Sequence, residues 1–249
     1  MDLDGNELYI KGPQRMQGEL LIQGSKNAAL PILAAMVLGS GVFLLHHCPH
    51  ISDVDHMLEM LEMAGCRIQW EGHMLIVDTR KLNNHRITGT GGGKMRSTLV
   101  LLGSLLGRLH RAELPYPGGC TIGKRPIDLH LKALQQMGVV FGHQEDALVG
   151  EVEKLCGAEI YLDFPSVGAT ENILLAAVLA EGRTTIHGAA MEPEIAELAC
   201  FLRKMGAKIR GDGTSLVEIE GVKRLHAAEY IVPADRIVAG TYLFGALLT

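Results

Sequence analysis

Residues 115–131 read PYPGGCTIGKRPIDLHL. Glycines at 118, 119 and 123 surround Cys120, and Lys124 and Arg125 follow before Pro126 opens a helical pattern. A thiol beside two fixed cations is favoured as thiolate. Such a group serves as a nucleophile or, when protonated, as a proton donor. The glycines let the segment move and keep bulk away from the sulfur. The other cysteines, Cys48, Cys66, Cys156 and Cys200, lie in or beside apolar runs and are expected to be small core residues.

A second set of polar residues stands where strands run into apolar helices. These are Gly24-Ser25-Lys26-Asn27, the stretch GGGKMR ending at Arg96, and Ser166-Val167-Gly168, with Asp235-Arg236 at the equivalent place further on. Helix starts expose unpaired N–H groups and the positive end of the helix dipole, so they favour anions. Lys26, Arg96 and Arg125 strengthen such a site, and phosphate or carboxylate ligands are expected. GTGGGKMRS is no Walker motif: Thr88 stands where a glycine is needed, and Met95 replaces the hydroxyl that would hold magnesium. His46, His47, Cys48, His50 and His56 cluster near a strand end, where alternation points neighbours apart. No second cluster stands at zinc spacing, so no metal is expected.

The elements that position these groups repeat. Each copy has an apolar helix ending at glycine, a short strand, an amphipathic helix and a closing hairpin. The first copy runs from NAALPILAAMVLGSG, the second from MRSTLVLLGSLLG and the third from VGATENILLAAVLAEG. The amphipathic helices end at Gly65, Gly138 and Gly206, so the unit recurs roughly every 70 residues. Extended segments precede the copies at GELLIQG, HRITGTG and EIYLDF, which gives a βαβαββ unit. The nearly all-apolar first helices belong inside, and the second helices, such as that carrying Ile195, Leu198, Ala199 and Leu202, belong outside. A fourth copy starts at EYIVPADRIVAGTYLFGALLT and stops in its first helix, so the chain is expected to be a piece of a longer protein.

Composition narrows the function classes. The chain has 249 residues, a net charge of −5, no basic tail and 4% aromatics, which argues against a nucleic-acid partner. Five scattered cysteines without a CxxC pair fit a reduced, cytoplasmic setting. Ala28 to Leu45 carries no charge, but Pro31 and Gly39-Ser40-Gly41 break it, so it reads as a buried helix, a turn and a strand rather than a membrane span.

GSKNAALPILAA, PGGCTIGKRPIDLHL, SVGAT and EPEIAELACFL resemble the enolpyruvyl transferase family, in its branch that uses UDP-N-acetylglucosamine. The likeness runs from about Tyr9 to the last residue. It implies an α/β fold, an inside-out α/β barrel of βαβαββ units with pseudo-threefold symmetry. The second domain would be incomplete. Residues 1–24 would be a strand segment of that second domain, 25–231 the complete first domain, and 232–249 the truncated start of the second. Substrates would be phosphoenolpyruvate and UDP-N-acetylglucosamine, joined with release of phosphate in peptidoglycan synthesis. Neither a cofactor nor a metal is implied.

By the same resemblance, Cys120 and Lys26 are the catalytic residues of this chain. Cys120 rides a lid, delivers a proton to the enolpyruvyl methylene, and is the residue that fosfomycin alkylates. Lys26, Asn27, Arg96 and Arg125 bind the substrate anions. Pro126, Ile127, Asp128 and Leu129 line the nucleotide-sugar pocket with Ser166, Val167 and Gly168. The family's general base, an aspartate, and further arginines would lie beyond Thr249, so the chain alone is expected to be inactive. The alternatives are a non-catalytic UDP-sugar-binding or regulatory fragment, and a transferase of the shikimate branch, against which Asn27 and Cys120 argue.

Overall fold

The computed structural model describes residues 2–4, 7–9, 12, 15, 17–88, 96–115, 127–144 and 147–249. A short antiparallel pair, β1 (Asp2–Asp4) and β2 (Glu7–Tyr9), opens the chain. The first unit follows with α1 (Lys26–Met36), β3 (Gly39–Ser40), β4 (Val42–His46), α2 (Ser52–Met63), β5 (Arg67–Glu71) and β6 (Met74–Asp78). The second has a 3-10 turn at Arg96–Val100, α3 (Leu101–Leu109), β7 (Arg111–Pro115), α4 (Asp128–Gln136), β8 (Val140–Gln144) and β9 (Ala147–Glu151). The third has β10 (Glu159–Tyr161), α5 (Val167–Ala177), β11 (Arg183–His187), α6 (Pro193–Lys204), β12 (Lys208–Arg210) and β13 (Leu216–Glu220). Then come β14 (Leu225–His226), β15 (Glu229–Ile231) and α7 (Arg236–Leu248).

The helices sort as their patterns predict. Residues 28–36 of α1, 101–107 of α3 and 169–177 of α5 are buried throughout. These three inner helices touch one another, α1 on α3 and α3 on α5. The outer helices bury one face only, and α6 contributes Ile195, Leu198, Ala199, Phe201 and Leu202. Each outer helix ends at a glycine in the left-handed region, with φ of 102° at Gly65, 100° at Gly138 and 105° at Gly206. An added Cβ would be strained there, and the turn lets the chain reverse into its hairpin.

The three sheets share one order. The strand after the inner helix pairs with the last strand of the hairpin, and that one with the middle strand. A leading strand runs parallel at the other edge, complete in the third unit as β10 on β11. In the second unit it shrinks to a bridge between Arg86 and Glu113.

The first unit departs from the expectation. Among the described residues GELLIQG forms one bridge, Gly24 with Ala234, and the edge beside β4 is taken by β15, with Tyr230 opposite Leu45. The segment expected to begin a fourth copy therefore completes the first sheet. Packing explains the choice. Tyr230 is buried, stands edge-on to Phe201 at 5.4 Å, and donates a hydrogen bond to Glu197 Oε2 at 2.6 Å.

Two stretches, 22–25 and 232–235, run side by side out of the sheets. Ser25 N–H donates to the Pro233 carbonyl and Asp235 N–H to the Gln23 carbonyl, each at 2.8 Å. His47, at φ 57°, sets its ring between Ile22 O and Val232 O, at 3.1 and 3.0 Å. Its neighbours in the histidine cluster are engaged elsewhere, His46 with Glu229 and His50 stacked on Trp70. No described helix is long and apolar enough to cross a membrane.

Candidate functional site

The starts of α1, α4, α5, α6 and α7 meet around a cavity of about 750 Å³. Asn27 reaches it from α1, and Leu129 and His130 from α4. Ser166, Val167 and Gly168 reach it from α5, Glu192 and Glu194 from the start of α6, and Arg236 from α7. Ser166 caps α5, its hydroxyl accepting from Ala169 N–H at 3.3 Å. The N–H groups of Val167 and Gly168 have no partner among the described residues. They are the first-turn donors a helix leaves for a ligand. Gly168 also sits against His130, and a Cβ there would meet the ring at 3.1 Å.

Five of the expected site residues thus share one cavity: Asn27, Leu129, Ser166, Val167 and Gly168. Lys26 stands apart, its ammonium 2.9 Å from Asp53 Oδ2. Asp128 is exposed and lies 3.6 Å from Lys132, while half-buried Ile127 packs on the core. Arg96 begins the 3-10 turn, and nothing of its side chain is described. Cys120, Arg125 and Pro126 lie outside the described residues.

Asp235 ties two helix starts together. Its carboxylate accepts from Ile237 and Val238 N–H of α7 at 2.9 and 3.1 Å, and from Lys26 N–H of α1 at 3.2 Å. Next to it, Arg236 forks onto buried Glu194 at 3.0 and 3.2 Å. A two-pronged pair of this kind fixes geometry as well as charge.

Asn172 links the cavity wall to the inner helices. Its Oδ1 accepts from Gly103 N–H at 2.7 Å, which fixes the orientation of the amide. The Nδ2 then donates to Leu99 O and to His130 Nδ1, both at 2.9 Å. His130 is therefore the tautomer with its proton on Nε2, beside Gly168. Leu99 and Gly103 are an i, i+4 pair, so one side chain spans the junction where the 3-10 turn becomes α3.

Glu171 lies one turn into α5 and lines the same cavity. It is 9% exposed and has no hydrogen-bond or ion-pair partner among the described residues. Burial first, then Glu194 and Glu192, push its carboxyl up to about 8. Sequence reasoning passed over Glu171, Asn172, His130 and Glu194. A signal was present: Thr170-Glu171-Asn172 is a polar run inside an otherwise apolar helix.

The cysteines divide differently from expectation. Cys48 and Cys66 are buried, and burial, aided by Asp55 and Asp78 respectively, pushes each thiol up to about 12. Cys200 is half-buried. Cys156 is exposed, because its extended segment alternates and turns Leu155 inward instead.

A family model described as EPSP synthase (3-phosphoshikimate 1-carboxyvinyltransferase) matches residues 10–249. The chain belongs to the enolpyruvyl transferase family. It is 49% identical to UDP-N-acetylglucosamine 1-carboxyvinyltransferase 2 of Caldanaerobacter subterraneus subsp. tengcongensis, over 96% of this chain and 58% of that protein. Against UDP-N-acetylglucosamine 1-carboxyvinyltransferase 1 of Symbiobacterium thermophilum the identity is 46%, over 98% and 57%. This enolpyruvyl transferase chain therefore spans somewhat over half the length of the curated relatives it matches. Its fold is that of the enolpyruvyl transferase NikO from Streptomyces tendae, with a TM-score of 0.82 at 22% identity, over 93% of this chain and 55% of that one. EPSP synthase from Acinetobacter baumannii superposes with a TM-score of 0.72 at 19% identity, over 96% and 54%.

Proposed function

We propose that this chain supplies the nucleotide-sugar side of a UDP-N-acetylglucosamine enolpyruvyl transferase, with residues 25–231 as one lobe and 1–24 and 232–249 leading into another. The observation that carries the reading is the cavity where helix starts converge, with the unpaired Val167 and Gly168 N–H groups at its wall. Those donors suit a diphosphate. Leu129 and the α1 residues Leu30 and Pro31 give the apolar surface a base or sugar face needs.

Phosphoenolpyruvate is the second substrate. Its anionic groups meet Lys26, Arg96 and Arg125, and Cys120 delivers the proton to its methylene carbon as the sugar hydroxyl adds. The residue that accepts the hydroxyl proton is assigned to none of these groups. The relatives matched at 46–49% identity, named for UDP-N-acetylglucosamine, and Asn27 favour this substrate over shikimate 3-phosphate.

Titration with the two ligands, read by saturation-transfer NMR, tests the reading. UDP-N-acetylglucosamine should bind saturably and be displaced by UDP. Preference for shikimate 3-phosphate would overturn the assignment.

A further inference from the structure

The cavity contains a carboxyl group whose role the proposed chemistry does not supply. Glu171 is buried, faces the cavity, and is the one carboxyl there without a described partner or an exposed position. Glu194 is paired with Arg236, while Glu192 is partly exposed. Its carboxyl oxygens are not sealed in the core but open onto the cavity, where a ligand can reach them.

Helix geometry says where that ligand would be. Gly168 and Glu171 are three residues apart, so they lie on one face of α5, about one helical turn or ~5 Å along the axis. A ligand anion held by the Val167 and Gly168 N–H groups places its adjoining group over Glu171. That adjoining group cannot itself be anionic, because Glu192 and Glu194 already add negative charge. A neutral, hydroxyl-rich group such as a sugar meets this condition and can hydrogen-bond the carboxyl.

We propose that Glu171 is a ligand-contacting residue that selects the sugar: its carboxyl hydrogen-bonds a donor on the sugar, a hydroxyl or amide N–H, while the phosphates occupy the start of α5. The inference rests on the nucleotide-sugar reading above. The group remains protonated at neutral pH, which lets it stand close to a diphosphate without repelling it. The charged and titratable groups around it are Glu192 and Glu194 from α6, Arg236 from α7 and His130 from α4. Ionisation of Glu171 above its raised pKa of about 8 places a negative charge against the ligand.

The experiment measures the dissociation constant of UDP-N-acetylglucosamine for the full 249-residue chain at pH 7 and pH 9, together with Glu171→Gln and Glu171→Leu. Wild type should bind about tenfold more weakly at pH 9, because only about a tenth of the chains still carry the proton. Glu171→Gln, fixed in the neutral form, should show a much smaller change between the two pH values. Glu171→Leu should bind about 3- to 10-fold more weakly than wild type at pH 7, the worth of one hydrogen bond. Uridine diphosphate, which lacks the sugar, should bind wild type and Glu171→Leu alike. The proposal is overturned if Glu171→Leu matches wild type for the nucleotide sugar, or if Glu171→Gln follows the wild-type pH course. If wild type binds no UDP-N-acetylglucosamine but these variants fold, the substrate reading itself has failed, which is a separate result.

Discussion

Glu171 carries a stability prediction of its own. Its folded-state pKa is raised to about 8 from an ordinary 4.5. The folded chain therefore holds a proton that the unfolded chain has already lost between those values. The contribution of this group to stability is greatest below pH 4.5, falls as pH rises toward 8, and then levels. Glu171→Gln removes that slope. Chemical denaturation should show the variant more stable than wild type by a few kcal/mol at pH 8 and near parity at pH 5. Equal stabilities at both pH values would mean that the carboxyl is solvated. Thiol chemistry gives a second residue-scale prediction. Alkylation at neutral pH should spare Cys48 and Cys66, buried with thiols pushed up to about 12, and should modify exposed Cys156. If Cys120 is activated by Lys124 and Arg125, it should outpace Cys156, and neutral replacements at 124 and 125 should bring the two rates together. Labelling that favours Cys48 would contradict both the burial and the loop assignment.

At the scale of elements, the junction of α3 and α5 is a place of close backbone approach. An added Cβ at Gly103 would fall inside contact distance of the Asn172 backbone oxygen. Gly103→Ala should thus push two inner helices apart and cost about 1–3 kcal/mol or more in urea denaturation. Asn172→Leu leaves Gly103 N–H and Leu99 O buried without partners and should cost about 2–5 kcal/mol. A change below half a kcal/mol in either would show that the helices do not meet this closely. The elements themselves were legible in the sequence because inner and outer helices differ in pattern and the glycine stops recur. Their partners were less so. EYIVPAD looks like the start of another unit, and only the buried contacts of Tyr230 with Phe201 and Glu197 place it beside β4. Likewise, helix starts revealed Asn27 and Ser166-Val167-Gly168, whose local chemistry is visible in sequence. His130 and Glu194 join the site through tertiary packing, which no local pattern records. Lys26 shows the limit from the other side: the sequence places it at the start of α1, but its ammonium pairs with Asp53 away from the cavity.

For the whole molecule, α7 tests how the two crossing stretches are held. None of its residues is buried, and Leu243, Phe244, Leu247 and Leu248 stand exposed. Ending the chain after Arg236 keeps the Asp235 bond to Lys26 N–H and the Glu194 pair, so the melting temperature should stay within about 2 °C. Ending it after Ala234 strips Lys26 N–H and buried Glu194 of their partners and should lower it clearly. Equal loss from both cuts would mean that α7 packs on the rest of the chain. The central claim is that the converging helix starts form a nucleotide-sugar site, and amide chemical shifts on adding UDP-N-acetylglucosamine test it most directly. The largest movements should fall on Val167 and Gly168, whose N–H groups await an anion, with smaller ones at Asn27 and His130. Movements concentrated on β12, at Lys208–Arg210, or none at saturating ligand, would contradict the account.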